Sequence, residues 1–407
     1  MKVALVPQRP DLLEGQVFEF GPKYGERKSV FGESYSLLRQ ELDTKGHEFD
    51  SIDNFSLDEV DVCLFEDMNY GYLYRLLTKT EETPRLVYIR QAPSSISQDN
   101  LISNFTQFVP LFDSILTWND GLAETYERFS KHYIPQYIEQ KEVEHLDFDK
   151  KKLLVNISSR KYSPTKHPEE LYTAREDVIE YYDDYHPTDF TLHGYHWNER
   201  PRLVDTYYHQ VVKPTDYSVY KGVVENKTDA YGTHRFALSF ENMTGIEGYI
   251  SEKMFDCLRS GIVPVYWGAN NVSEYVPDDV FIDYREYGTP ASLHERLRSV
   301  TEQEHEKYLE SAQEFLRKDA SQFSIENYAQ TLENEILAEE RRHRPPDRQL
   351  LDDIKALSRA ERLIHQRDEI GRVQYTFEFL RLLRKHREAL LRFPTTFYHA
   401  VNKVVSG

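Results

Sequence analysis

The chain has 407 residues, with 50 Lys+Arg against 69 Asp+Glu and a formal net charge of −19. That length exceeds one ordinary domain and predicts two domains with an appendage. A hydrophobic content of 39% with 13% aromatics excludes a wholly disordered chain, and the acidic balance excludes a general nucleic-acid binder, which needs a basic face.

The first part of the chain alternates short β-branched runs with amphipathic stretches. Lys2–Val6, Val60–Phe65, Arg85–Ile89 and Ser114–Trp118 read as strands, with Ser34–Leu42, Tyr70–Leu77, Asn100–Phe108 and Gly121–Phe129 as helices between them. Such alternation predicts right-handed crossovers and a mostly parallel sheet. The charged stretch Ile138–Lys152 interrupts the pattern and reads as a linker. The alternation then restarts with a strand at Leu153–Ile157, a helix from Glu169 to about Tyr182, and strands at Phe190–His193 and Arg235–Phe240. A helix at Tyr249–Ser260, a strand at Ile262–Trp267 and helices through Ala291–Glu335 complete it. The expectation is an α/β chain: a Rossmann-like domain over 1–140, a linker over 141–152, and a second, doubly wound domain over 153–338. Two such domains facing a cleft would collect ligands at the carboxyl ends of their strands.

Residues 339–407 differ. From Glu340 to Gly407 there are 15 Lys+Arg against 9 Asp+Glu. Phe379–Phe393 places leucines and phenylalanines on one helical face with Arg and Lys around them. This basic helical tail suits an anionic membrane surface, or it packs on its own domain or on a second subunit. Cys63 and Cys257 lie in apolar segments and read as buried free thiols. The apolar run at the N-terminus is too short for a signal peptide and no stretch reaches transmembrane length, so a cytoplasmic protein is expected.

Most of the chemical information lies in Arg235–Trp267, RFALSFENMTGIEGYISEKMFDCLRSGIVPVYW. A strand ends in Glu241-Asn242, a glycine-bearing loop follows, and a helix opens near Tyr249 with Ser251, Glu252 and Lys253 in its first turn. A helix N-terminus beside a lysine is an anion site. With Glu252 able to grip a diol, the pair matches the chemistry of a nucleoside diphosphate. The other reading of the same residues is a capped helix with a solvated Glu and Lys.

This stretch resembles the donor-binding signature of glycosyltransferase family 10, the α-1,3/1,4-fucosyltransferases, and its bacterial members above all. The residues that carry the resemblance are Phe240-Glu241-Asn242, Tyr249-Ile-Ser-Glu252-Lys253, Val263-Pro264-Val265-Tyr-Trp-Gly268, Pro277 and Phe281-Ile282, with Tyr220-Lys-Gly222 and Lys227 upstream. The resemblance implies a GT-B fold and inverting transfer of L-fucose from GDP-fucose to a hydroxyl of a glycan acceptor, of α-1,3 type and on a cell-surface glycan precursor. It implies no required cofactor and leaves metal dependence open. It places Tyr249 and Lys253 on the diphosphate, Glu252 on the ribose or sugar, and Asn242 beside the donor, with Glu241 and Lys227 as further donor-side positions. Arg175 is implied as the phosphate-binding arginine, with Arg160 as runner-up, and Gly194 as the glycine ending the next strand.

The chain departs from the family at one place. The family's proposed base is the Glu of a Glu-Ser-Pro run, and the corresponding segment reads Arg90-Gln91-Ala92-Pro93. A glutamine amide accepts no proton at neutral pH. Strand-end logic then offers Glu66 and Asp67 as substitutes, or the same carboxylates are solvated loop residues. Gln91 also invites a non-catalytic GDP-sugar-binding protein, and the nucleotide grip alone also fits a GT-B transferase of another GDP-sugar. His193 and His196 have no evident third partner, so no metal ligands are assigned. No Gly-x-Gly-x-x-Gly follows the first strand, and Gly-x-Ser-x-Gly is absent.

Overall fold

The computed structural model describes residues 1–8, 10–19, 29–93, 100, 102–161, 168–198, 216–370 and 372–392. They form two compact units, Met1–His132 with Tyr328–Gly407, and Tyr133–Asn327.

In the first unit, β1 (Lys2–Pro7), α1 (Gln16–Glu19), α2 (Val30–Thr44), β2 (Glu48–Ser51), β3 (Val62–Glu66), α3 (Tyr70–Lys79), β4 (Arg85–Arg90), α4 (Ile102–Phe105), β5 (Ser114–Thr117), α5 (Asp120–Thr125) and β6 (Phe129–Lys131) follow in order. All strand pairs are parallel, in the order β2-β1-β3-β4-β5-β6. Successive strand side chains point to opposite faces. One face therefore carries Ala4, Val6, Cys63, Phe65, Leu86 and Tyr88. The other carries Val3, Leu5, Leu64, Val87 and Ile89. Both faces are covered, which is why these strands read as unbroken apolar runs. Each of the Val, Leu, Ile and Phe side chains among them, fully removed from water, contributes about 1.5–3 kcal/mol.

The second unit holds β7 (Lys152–Ile157), α6 (Tyr172–Tyr185), β8 (Phe190–His193), α7 (Lys227–Gly232), β9 (His234–Phe240), α8 (Glu252–Arg259), β10 (Val263–Trp267), β11 (Ile282–Asp283), α9 (Pro290–Ser299) and α10 (Glu302–Lys318). Its sheet is again parallel, ordered β11-β10-β9-β7-β8. The segment expected as a linker lies against this unit: Lys141 N–H donates to the Arg259 carbonyl, Leu146 N–H to Gly232, and the Arg235 guanidinium stacks on Phe148 at 3.8 Å.

Helix α11 (Ile325–Leu337) returns the chain to the first unit, where Tyr328, Ala329, Leu332 and Ile336 join the core beside α2. The basic segment after it forms α12 (Arg348–Ile370) and α13 (Arg372–Arg392). Ile354, Leu357, Ala360 and Leu390 sit in the core under α3, with Leu382 and Leu383 packed against it. The tail therefore packs on its own domain, and Phe379, expected on a lipid-facing stripe, is buried. Asp113 clamps its entry, accepting from the Arg342 and His343 N–H groups at 2.5 and 2.9 Å, and from Leu86 N–H at 2.8 Å.

Several expectations shift. The helix expected over Gly121–Phe129 ends at Thr125, and Phe129 opens β6. Strands β2 and β6 escape a periodicity reading because each is a short edge strand with polar residues, too brief to show alternation. The helix expected from Tyr249 starts at Glu252, because the Ser251 side chain caps it by accepting from Lys253 N–H. Both cysteines are buried and free, as expected.

Candidate donor and acceptor sites

Each sheet reverses its strand order once, between β1 and β3 in the first unit and between β7 and β9 in the second. In open α/β sheets, ligands bind beyond the carboxyl ends of the strands at such points. The donor candidates of the second unit gather there.

Strand β9 delivers Glu241, whose side chain is fully buried. Its carboxylate accepts from Ser251 N–H at 2.7 Å, Ser251 Oγ at 2.6 Å and Lys253 Nζ at 3.2 Å. Glu241, expected to meet the donor, is thus spent behind it as a strut that fixes the N-terminus of α8. Lys253 also donates to Ser251 Oγ at 2.9 Å and lies 3.4 Å from Glu252. Burial opposes its charge, but Glu241 and Glu252 outweigh it and raise the amine above the usual lysine value. The ammonium is held charged at the N-terminus of α8. The carboxyl of Glu252 is held at about 2, desolvation being overcome by Lys253 and Lys227. Lys227 itself pairs with Asp256 at 2.6 Å, one turn further along α8.

Arg175 is buried on α6, with Nη2 donating to the carbonyls of Phe240 at 2.7 Å and Glu241 at 3.2 Å. The segment ahead of α6 sets this position, because Leu171 N–H donates to the Asn242 carbonyl and Thr244 N–H to that of Glu169. Burial lowers the Arg175 guanidinium below its ordinary value. Arg160, the alternative arginine, instead pairs with Glu176 at 2.6 Å. Tyr249 is buried, its hydroxyl accepting from Asn242 Nδ2 at 3.3 Å, and burial followed by Glu241 pushes its phenol well up.

Gly194 has φ +131°, and a Cβ there would lie 2.0 Å from the Ser158 carbonyl oxygen. The end of β8 approaches the loop after β7 too closely for any side chain. Neighbouring His193 Nδ1 bonds the Gly222 carbonyl at 3.0 Å, a backbone-tethering post. Sequence reasoning missed Lys161. Desolvation, then the charge of Lys253, lower its amine. Its only sequence signal is its place just past β7, next to Arg160.

In the first unit a cavity of about 230 Å³ opens at the switch point, lined by Gln8 after β1, Glu66 and Asp67 at the end of β3, Gln91 after β4, and Gly32 and Tyr35 of α2. Asp67 is almost fully buried and sits at φ +56°. Its carboxylate accepts from Gln91 N–H and Ala92 N–H, both at 3.0 Å, and from Asn100 Nδ2 at 2.7 Å. Burial raises its pKa against these bonds. Asp67 holds the loop that carries Gln91, while Glu66 is the half-buried carboxylate lining the cavity. Gln91 Nε2 donates to the Tyr328 hydroxyl at 2.5 Å and lies 3.4 Å from that of Tyr35. Its position is structural toward α2 and α11, and it carries no base.

Residues 200–336 match the model of the C-terminal part of glycosyltransferase family 10 (fucosyltransferase). That stretch resembles glycosyltransferase family 10. The chain is similar to an α-(1,4)-fucosyltransferase of Arabidopsis thaliana, 42% identical over 64 residues, which are 16% of each protein. It is also similar to the human 4-galactosyl-N-acetylglucosaminide 3-α-L-fucosyltransferase 9, 31% identical over 112 residues, 26% of this chain and 31% of that one. The matched segments span less than a third of these curated relatives. Among solved structures, an α1,3-fucosyltransferase with GDP-fucose superposes with a TM-score of 0.47 at 13% identity, covering 84% of this chain and 92% of that one. Anabaena HepE in complex with UDP-glucose gives 0.48 at 13%, covering 83% and 99%. The described residues form two doubly wound parallel α/β sheets, as expected from the sequence. No described helix is long and apolar enough to cross a membrane.

Proposed function

We propose that the protein is an inverting fucosyltransferase that moves L-fucose from GDP-fucose to a hydroxyl of a glycan acceptor, forming an α-1,3 type linkage on a cell-surface glycan precursor. The observation that carries this reading is the Glu241–Ser251–Lys253 strut at the N-terminus of α8, inside the segment that matches the family. It presents one fixed cation and the helix N–H groups where a diphosphate would sit, with Glu252 ionised beside them.

The chemistry follows from those parts. As the bond to fucose breaks, negative charge grows on the β-phosphate, and Lys253, Arg175 and the helix N-terminus stabilise it without having to reorganise. Lys161 adds a further cation. Tyr249 and Asn242 position the diphosphate, and Glu252 accepts from the donor's ribose or sugar hydroxyls. Inversion requires one displacement, with the acceptor hydroxyl losing its proton to a base. In this reading Glu66 takes that proton, because Gln91 cannot and Asp67 is committed to the 91–92 backbone. The catalytic apparatus is side chains and backbone, with no metal required by any step. The exposed Phe377 and Leu380 on α13, next to Arg381, Arg384 and Lys385, support docking of this face on an anionic membrane.

Incubating the full chain with GDP-fucose and a 4-galactosyl-N-acetylglucosaminide acceptor tests the proposal. Acceptor-dependent release of GDP with a fucosylated product is expected. GDP binding without turnover on any glycan would leave a GDP-sugar-binding protein and overturn the catalytic assignment.

A further inference from the structure

The second unit has a second cluster of polar groups at the other end of its sheet, where β8 begins. Helix α6 ends at Tyr185, and His186 caps it, its N–H donating to the Tyr182 carbonyl at 2.9 Å. His186-Pro187-Thr188-Asp189 then forms a turn closed by Asp189 N–H donating to the His186 carbonyl at 3.1 Å, with proline at the position where its fixed φ favours a turn. Asp189 immediately precedes β8, and its carbonyl accepts from Leu154 N–H at 3.0 Å. The turn therefore holds one imidazole and one carboxylate rigidly against the sheet edge.

The third member comes from α9. Leu293 and Leu297 anchor this helix in the core, which brings His294 over the turn. The His294 and His186 rings lie 3.7 Å apart and nearly parallel, at 11°. One ligand atom from each of His186, Asp189 and His294 falls within 4.8 Å of the others. Two further observations point to a ligand there. The Nδ1 of His294 is buried with no hydrogen-bond partner, an unusual state for a ring nitrogen. His186 Nε2 lies 3.2 Å from the Tyr181 hydroxyl. A partner on one ring nitrogen fixes the tautomer and orients the other nitrogen toward a metal. The carboxyl end of α6 adds the negative end of its helix dipole.

We propose that His186, Asp189 and His294 form a binding site for a divalent transition metal of the zinc type. Two imidazoles and a carboxylate are a ligand set zinc takes up, with water completing a tetrahedron. The stacked rings do not yet converge on one point, so metal entry turns one imidazole about its broad outer torsion. Arg298, 3.9 Å from the Asp189 carboxylate, is the cation the metal would displace. The site clasps α6, α9 and the start of β8. It lies at the opposite end of β8 from the donor residues, so its role is to staple the fold rather than to act on the sugar.

The test is titration of zinc chloride into the untagged, chelator-treated full chain, followed by calorimetry and by thermal unfolding. One equivalent should bind and raise the unfolding midpoint, and cobalt(II) should give the intense visible absorption of a tetrahedral site. His294→Gln and His186→Gln should each remove binding, and Tyr181→Phe should weaken it roughly 10–100-fold, with GDP affinity unchanged in all three. Should His294→Gln fail to fold, His186→Gln and Tyr181→Phe decide the matter. Absence of zinc uptake by the folded wild type, or uptake that survives both histidine changes, would overturn the assignment.

Discussion

The two sheets share a topology, yet the crevices at their switch points are chemically opposite. That of the second unit gathers Lys253 and Arg175 at a helix N-terminus, with one buried carboxylate tying the arrangement together. That of the first unit has two adjacent carboxylates, a glutamine amide and the Tyr35 side chain around a cavity. The same fold thus supplies one place suited to a departing diphosphate and another suited to a hydroxyl that must lose a proton. The strand-end residues, not the fold, decide which is which.

The contrast can be broken in order of expected effect. Glu66→Gln should lower the transfer rate about 10²–10⁴-fold and leave GDP affinity unchanged by calorimetry. Equal loss with Asp67→Asn but none with Glu66→Gln would move the base to Asp67. Lys253→Ala should lower transfer about 10²–10³-fold and weaken GDP binding as well. Because it strands buried Glu241, its unfolding midpoint should also fall. Glu241→Gln serves as the control that keeps the Ser251 oxygen acceptor, loosens Lys253 and costs less stability. Lys161→Ala should weaken GDP binding by about tenfold, roughly 1.4 kcal/mol, with unchanged stability. No change would take Lys161 out of the donor cluster.

A smaller effect separates the tail from both sites. Asp113, bonded to the 342–343 backbone and to His343, has its carboxyl held at about 2: burial opposes ionisation, and the His343 and backbone hydrogen bonds overcome it. A carboxyl depressed in the folded state stabilises the fold above its unfolded pKa. That stability is lost as pH falls from about 4 toward 2. Asp113→Asn should remove this acid-dependent part and cost about 1.5–3 kcal/mol, read by denaturant unfolding at pH 7 and pH 3, while GDP binding persists. Flotation of the full chain with anionic vesicles is expected to weaken on Phe377→Ser with Leu380→Ser, and unchanged flotation would remove α13 from the membrane reading.

The sequence made the donor side legible because its parts are local. Glu241, Ser251, Glu252 and Lys253 lie on one strand–loop–helix unit, so spacing alone brings them together. Even there it misread Glu241, since full burial behind the helix leaves no trace in spacing. Lys161 was missed because it lies past a different strand end, outside that unit. The first-unit cavity was harder still, for Gln8, Gly32, Glu66 and Gln91 are joined only by the strand order. Strands β2 and β6 escaped for want of length, and the tail's apolar stripe could not say which surface would cover it.

The most direct test of the central claim is calorimetric titration of GDP-fucose, GDP-mannose and GDP into the wild type and into Lys253→Ala. Tighter binding of GDP-fucose than of GDP-mannose, with all three lost or strongly weakened in the variant, is the predicted result. Equal binding of both sugars would leave the nucleotide grip standing and contradict the fucose assignment. Absence of GDP binding, or affinity untouched by Lys253→Ala, would contradict the donor site itself.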